Sequence, residues 1–474
     1  METRDKVLII CTGGTIGMIP KNADGTGVLV PADWNDLEAR LHFTGDFNFD
    51  VDFHQMKLID STNMNPDYWI DIARVIEKRY NEFVGFVILH GTDTMTYTAT
   101  ALSFLLENLS KPVIITGSQL PIYRPRNDAV QNLTTSLIIA ASADYIPVIP
   151  EVCILFDKVL LRGNRSRKIS SSGFGGFDSP NFLPLATIGE HIEVNTKLLR
   201  EVSTKKFFIN DSLDTNVMIF DVFPGIEPKI LQNVLSSKDL KGVVLRTYGT
   251  GNAPTYQDFL DVIENAIQKR KLPVVNITQC EEGMVEMGLY ESSARLSRIG
   301  VITGVDMTAE AALLKLMFLL GQGLKEADTI KDYMQTNHRG EQSQNAFNFT
   351  YRKGKTIDGV SRLQTKNFTA GFDKDKIRKA IIRFDDVIIP DNEKFDLAIF
   401  VNLPSAGVDT NENDTKCLCI KSKADGNTDF MFDCTHNARY LIDSTRPLNL
   451  TVVSKSINSF SWDGIVFTIY TDVD

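Results

Sequence analysis

Short, almost uninterrupted apolar runs alternate with helically spaced ones over the first part of the chain. Val7-Leu8-Ile9-Ile10-Cys11 reads as a buried strand, residues 51–59 are another strand candidate, and residues 84–89 and Pro112-Val113-Ile114-Ile115-Thr116 read as further strands. Between them Trp69, Ile72, Ala73, Ile76 and Tyr80 fall on one helical stripe, and residues 97–109 and 127–143 also have helical character. Strands without polar alternation, separated by helices, predict a mainly parallel sheet covered on both faces. A doubly wound α/β domain over residues 1–190 is therefore expected.

Residues 191–216 are polar, with Asn195, Thr196, Lys197, Asn210, Asp211 and Asp214, and are read as a linker. A smaller second α/β domain is expected over 217–345. Its strands are placed at 217–222, 241–245 and 273–277, and its helices at 256–269, 308–320 and 325–335. Residues 346–372 follow a Gln- and Asn-rich stretch, carry the turn Lys353-Gly354-Lys355, and are read as a second linker. From 373 to 474 β-branched runs such as Leu397-Ala398-Ile399-Phe400-Val401 and Leu450-Thr451-Val452-Val453 dominate, broken by turns such as Asp425-Gly426-Asn427. They predict an all-β, sandwich-like C-terminal domain.

Composition narrows the function classes. The 474 residues are 43% hydrophobic and 23% charged, as in a soluble protein with a large core. A net charge of −10 opposes a general hold on nucleic acid, and Arg162, Arg165, Arg167 and Lys168 form the one basic cluster. The first apolar run is too short for a signal-peptide core or a membrane span. The six cysteines, at 11, 153, 280, 417, 419 and 434, are scattered, which predicts a reducing, cytoplasmic setting.

Three polar turns follow predicted strands. The first is Thr12-Gly13-Gly14-Thr15-Ile16-Gly17, whose glycines allow a tight turn and close approach to a ligand. Its spacing is not that of a dinucleotide fingerprint, and no lysine follows as a phosphate-binding P-loop requires. The others are Asp60-Ser61-Thr62-Asn63-Met64 and His90-Gly91-Thr92-Asp93-Thr94-Met95. In an open parallel sheet such turns meet at the carboxyl edge, where ligands bind. Neither a G-x-S-x-G elbow nor an H-E-x-x-H helix is present, so serine-hydrolase and zinc-protease chemistry lacks its anchors.

These turns resemble the signature segments of bacterial-type L-asparaginases, in particular the cytosolic type I branch. Thr116-Gly117-Ser118-Gln119, Arg162-Gly163-Asn164-Arg165, Tyr248-Gly249-Thr250-Gly251-Asn252-Ala253-Pro254 and Gly304-Val305-Asp306-Met307-Thr308 extend the similarity in the same order over residues 5–345. The resemblance implies hydrolysis of L-asparagine without a cofactor, by a homodimer or homotetramer. Thr15 would be the nucleophile, and Thr92, Asp93 and Lys168 the supporting triad. Lys168 would assist proton movement at the Thr92 hydroxyl, Asp93 would hold the substrate ammonium, and the Thr92 N–H would donate to the oxyanion. Asp60, Ser61, Thr62 and Asn252 would contribute to substrate binding.

Many relatives carry a tyrosine in the loop after the first turn, but residues 18–33 here contain none. Some cytosolic relatives supply it from the second domain, and Tyr290 occupies the matching position. Some also bind asparagine at a regulatory pocket, which Arg246, Thr278, Gln279 and Cys280 match. In the tail, Cys417-x-Cys419 and Cys434-x-His436 are spaced so that alternation along two strands could assemble a zinc site. The readings that compete with an asparaginase are a glutaminase-asparaginase, an ammonia-supplying amidotransferase subunit, and an asparagine-sensing scaffold. Asparaginase-like amidotransferase subunits carry a domain ahead of the first turn, which here begins by residue 12.

Overall fold

The computed structural model describes residues 4–22, 29–31, 47–142, 146–287, 291–364, 373–388, 395–423, 430–442, 447–455 and 460–473. The chain divides into two compact units, and each is described separately.

The first unit holds residues up to 217 together with 307–324 and 338–341. Its strands are β1 (Lys6–Cys11), β2 (Asp50–Gln55), β3 (Gly85–Leu89), β4 (Val113–Thr116), β5 (Val152–Phe156), β6 (Val159–Arg162), β7 (Ala186–Ile188) and β8 (Ile192–Val194). They form one sheet in the order β8-β7-β6-β5-β4-β3-β1-β2. The five strands from β2 to β5 run parallel, and β6, β7 and β8 turn back antiparallel. Helices α1 (Pro66–Arg79), α2 (Met95–Leu105) and α3 (Ala129–Ala140) cover it.

The all-apolar strands follow from coverage on both faces. Val7, Ile9 and Cys11 of β1 pack with α3, whereas Leu8 and Ile10 pack with α1 and α2. The chain leaves β1 for β2 on one side and returns to β3 on the other. That reversal of winding is the switch point at which a ligand crevice is expected.

Three parts of the expected domain organisation change, two of them in this unit. Residues 191–216 are not wholly a linker, because β8 extends the sheet by pairing with β7. The helix expected at 308–320, Ala309–Gly321, belongs to the first unit rather than the second α/β set. It is almost entirely apolar, so it needs cover on most sides. Leu314 enters the core beneath α2, and Phe318 stacks on Phe104 with ring centroids 5.7 Å apart.

The second unit begins with a four-stranded sheet in the order β9 (Val217–Asp221), β10 (Gly242–Thr247), β11 (Val274–Thr278), β12 (Ile302–Thr303). The strands from β10 to β12 are parallel. Helices Pro228–Leu235 and Gln257–Arg270 share its core.

The remainder of this unit is a β-sandwich of two four-stranded sheets. One has the order β13 (Gln344–Lys355), β20 (Ser461–Asp472), β15 (Ile377–Asp385), β18 (Phe430–Asp433). The other has the order β14 (Val360–Leu363), β19 (Leu450–Ser454), β16 (Phe395–Val401), β17 (Cys417–Lys423). The inner faces share one core that includes Phe347, Ile382, Ile399, Val452, Phe467 and Trp462.

Residues 346–372, expected as a linker, therefore supply one strand to each sheet of the sandwich. The charged, glycine-containing end of β13, Arg352-Lys353-Gly354-Lys355, reads as a turn in the sequence although it is paired strand in the structure. The sandwich is fastened within its unit by Arg298, which donates to Asp385 at 3.1 Å and to Asp386 at 3.2 Å. Asp385 is fully buried and also accepts from Arg383.

Candidate active site

Three turns are brought into contact at the carboxyl edge of the first sheet by the absence of side chains. Gly14, at φ +95°, leads into a short 3-10 turn, Thr15–Gly17. A Cβ on Gly14 would lie 2.4 Å from the Gly91 nitrogen, so only glycine permits this approach. A Cβ on Gly91 would lie 2.5 Å from the Ser61 Oγ. Residues 14, 91 and 61 thus touch, and Thr15 and Thr92 are the next residues along their strands. Thr15 is half-buried, and its hydroxyl makes no hydrogen bond among the described residues.

Lys168 arrives from a two-residue strand, Arg167–Lys168, paired with Phe177–Asp178. Its ammonium donates to the Thr92 hydroxyl at 2.9 Å and to Asp93 Oδ1 at 2.6 Å. The turn after β2 is set by Asp60. Its carboxylate accepts from both the N–H and the hydroxyl of Thr62, each at 2.9 Å. Those two bonds hold the Asp60 carboxyl below the usual carboxylate range, so it stays negative into mildly acidic solution. Ser61 is buried, and its carbonyl accepts from the Thr94 hydroxyl at 2.7 Å.

The basic cluster proves to be internal rather than a solvated face. Arg162 pairs with Glu151, with both side chains buried. Arg165 donates to the carbonyls of Glu341 and Asn181, and Asn164 donates to that of Arg339. Glu341 in turn is fixed by the buried Lys315 at 2.6 Å. Burial alone would raise its carboxyl, but the Lys315 ammonium and His338 outweigh that and keep it low. The 162–165 segment is thereby held rigid three residues before Lys168.

Two contributors to this edge escape a reading of sequence. Thr94 ties two turns together, and Asp128 accepts from the N–H groups of Gln119 and Leu120 to shape the turn after β4. Their signal is only that turn N–H and C=O groups at a buried edge need partners.

The remaining expected residues lie in the second unit or outside the described residues. The Asn252 Oδ1 accepts from Ser292. Arg246 pairs with Asp221, with contacts of 3.0 and 3.2 Å, and Gln279 donates to the carbonyls of Val222 and Arg246. The Thr278 hydroxyl accepts from the Cys280 N–H. Arg246, Thr278, Gln279 and Cys280 are thus gathered at the carboxyl ends of β10 and β11. Tyr290 lies outside the described residues.

The four candidate zinc ligands of the tail are not brought together. A bulge in β17 sets Cys417 and Cys419 opposite consecutive residues of β16. It sends Cys417 to a cluster with Ala398 and Phe400, while Cys419 packs against the sandwich core. Cys434 caps a helix, Thr435–Leu441, instead of continuing a strand, and its thiol donates to the Ala380 carbonyl. Burial pushes the Cys434 thiol up to about 12 and Cys417 up to about 11, away from the thiolate a zinc ligand must be. Among the described residues no three His, Cys, Asp or Glu side chains converge as metal ligands.

Comparison with known proteins agrees with this edge. Residues 6–200 match the family model described as Asparaginase, N-terminal, and residues 216–334 match that of the Glutaminase/Asparaginase C-terminal domain. The chain is 40% identical over 343 residues to L-asparaginase 1 of Escherichia coli K12, covering 71% of this chain and 98% of that protein. It is 36% identical over 395 residues to the 60 kDa lysophospholipase of Mus musculus, covering 77% and 68% respectively. The crystal structure of L-asparaginase I from Vibrio cholerae superposes with a TM-score of 0.64 at 40% identity, covering 72% of this chain and all of that one.

Proposed function

This chain belongs to the asparaginase family, and from that premise we propose that it hydrolyses the side-chain amide of L-asparagine to L-aspartate and ammonia. The observation that carries the reading is the Lys168–Thr92–Asp93 constellation, set beside the Thr15 turn at the sheet's switch point. Thr15 Oγ attacks the amide carbon, and its proton passes to the departing nitrogen, which leaves as ammonia. Water then cleaves the resulting ester and restores the hydroxyl. The Thr92 N–H faces the developing oxyanion, a contribution worth about 3–4 kcal/mol at such sites. Asp60, Ser61 and Thr62 hold the α-amino and α-carboxyl groups, with Asp93 on the ammonium.

Ammonia release measured on asparagine and on glutamine tests the assignment. Preference for asparagine is expected, and failure to hydrolyse either amide removes the reading.

We place Tyr290 at the same site, because residues 18–33 hold no tyrosine and Tyr290 is matched to the one that some cytosolic relatives supply from the second domain. Tyr290→Phe is expected to lower kcat about 10²-fold, the usual contribution of one positioned proton-transfer group. The thermal midpoint should stay at the wild-type value, and near-normal turnover would retire the assignment.

Arg246, Thr278, Gln279 and Cys280 form a regulatory asparagine pocket in an assembly of two or four copies. Arg246 can hold the effector carboxylate with two parallel hydrogen bonds. The rate is then sigmoidal in asparagine, and Arg246→Ala makes it hyperbolic without loss of maximal rate. A hyperbolic curve for the wild type removes this pocket. Among the described residues no helix is long and apolar enough to cross a membrane. The cysteines form no disulfide, which supports a cytoplasmic enzyme.

A further inference from the structure

Behind the Thr92 turn lies a chain of buried hydrogen bonds that the reaction as described leaves unused. Trp69 Nε1 is 2.9 Å from Thr98 Oγ1. Thr98 Oγ1 is 2.8 Å from His90 Nε2, and His90 Nδ1 is 2.6 Å from the Gly91 carbonyl oxygen. His90 and Thr98 are completely buried, and Trp69 nearly so.

The direction of every bond follows from the chemistry of its atoms. A carbonyl oxygen only accepts, so His90 Nδ1 carries a proton. An indole nitrogen only donates, so Thr98 Oγ1 accepts from Trp69 and has its own proton left to give. It gives that proton's hydrogen bond to His90 Nε2, which in this tautomer presents a lone pair. Burial pushes the imidazole down to about 4, so the doubly protonated ring does not compete near neutrality. One tautomer therefore satisfies all three contacts.

The last acceptor matters because of the peptide to which it belongs. In a trans peptide the C=O and the N–H point in opposite directions, and the described chain contains no cis bond. Fixing the Gly91 carbonyl towards His90 fixes the Thr92 N–H away from it. On the other side Gly14 lies against the His90–Gly91 peptide, with no room for even a Cβ. The segment is clamped between a glycine turn and a directed hydrogen-bond relay.

We propose that His90 is a positioning residue which, oriented by Thr98 and Trp69, presets the Gly91–Thr92 peptide so that the Thr92 N–H stabilises the oxyanion. The inference rests on the hydrolase reading above, in which that N–H is the donor. Its physical basis is preorganisation: a dipole already aimed at the developing charge needs no reorientation during the reaction. Successive bonds in the relay also polarise one another, which strengthens the final donor.

Thr98→Val keeps the shape of the side chain and removes its hydroxyl. It strands His90 Nε2 and Trp69 Nε1, and the imidazole can then take the other tautomer, in which Nδ1 repels the Gly91 carbonyl. The expected result is a fall in kcat on the order of tenfold, short of the roughly 10²–10³ that loss of an oxyanion donor costs. KM for asparagine should change little, and Thr98→Ser should restore kcat. A purely structural role would lower stability without that split.

The second measurement is nitrogen NMR on wild type with ¹⁵N-labelled histidine, with the His90 signals assigned by His90→Gln. A protonated Nδ1 with an unprotonated Nε2 is expected. An Nε2–H tautomer overturns the inference, even if Thr98→Val fails to fold. Unchanged kcat in a folded Thr98→Val also overturns it while leaving the hydrolase reading intact. A wild type that releases no ammonia from asparagine instead sinks that reading, and with it the catalytic role given to His90.

Discussion

Thr15→Ala should release ammonia from asparagine on the order of 10⁴- to 10⁶-fold more slowly than wild type, the range seen when an enzyme loses its covalent nucleophile. The loss falls on kcat because the hydroxyl forms the bond that defines the intermediate, and nothing adjacent can replace it. Thr92 is held by Lys168 rather than presented to the substrate. Stability should hardly change, within about 0.5 kcal/mol, since Thr15 is only half-buried and its hydroxyl forms no hydrogen bond among the described residues. Substrate binding should survive too, because Asp60 and its turn are built independently of the Thr15 side chain. Calorimetric binding of asparagine to the inactive variant, beside a coupled ammonia assay, checks both halves. Turnover near the wild-type rate would move the nucleophile elsewhere.

Lys168→Met should cost kcat about 10³-fold, within the range of a positioned acid–base group. The ammonium touches two partners, and their relative importance separates chemistry from folding. Its bond to Asp93 joins a carboxylate with 57% of its side chain exposed, so the pair is screened by water. Such a pair contributes at most about 1 kcal/mol to stability, and the thermal midpoint should move by only a few degrees. Its bond to Thr92 lies deeper and controls the hydroxyl beside the reacting centre. Loss of activity without loss of fold is therefore the expected signature, read from kcat and a melting curve on the same preparation. Lys168→Arg should not restore the rate, because a guanidinium is planar, longer and far less ready to give up a proton. A stability loss that matched the activity loss would make Lys168 structural instead.

The sequence by itself determined the local chemistry and the layered core. Uninterrupted apolar strands could only be strands covered on both faces, and the structure has them at β1, β3 and β4, while β5 was not read from the sequence. The turns at Thr15, Asp60 and Thr92 were legible as polar turns that follow strands and meet at one sheet edge, and the roles given to them came from the resemblance to the asparaginase segments. The short β-branched runs beyond residue 373 foretold a sandwich because they lack helical spacing and are separated by turn clusters.

Only the tertiary structure decided which segments pack together. The helix Ala309–Gly321 carries no mark of the unit it joins, because a helix that is almost all apolar is suited to any core and the partner of its buried Lys315 is fixed only by the fold. Strands β13 and β14 looked like a linker, since half their side chains face water and the pairing partner of β13, Ser461–Asp472, lies about a hundred residues further along. Whether the tail cysteines share a face was decided by a single bulge, which sends Cys417 and Cys419 to different clusters. The relay through Trp69, Thr98 and His90 had no sequence pattern at all, because its members lie on two helices and a strand end. Periodicity reports how each residue relates to its own element. Contact between elements depends on the three-dimensional closure of the chain, which no local window contains.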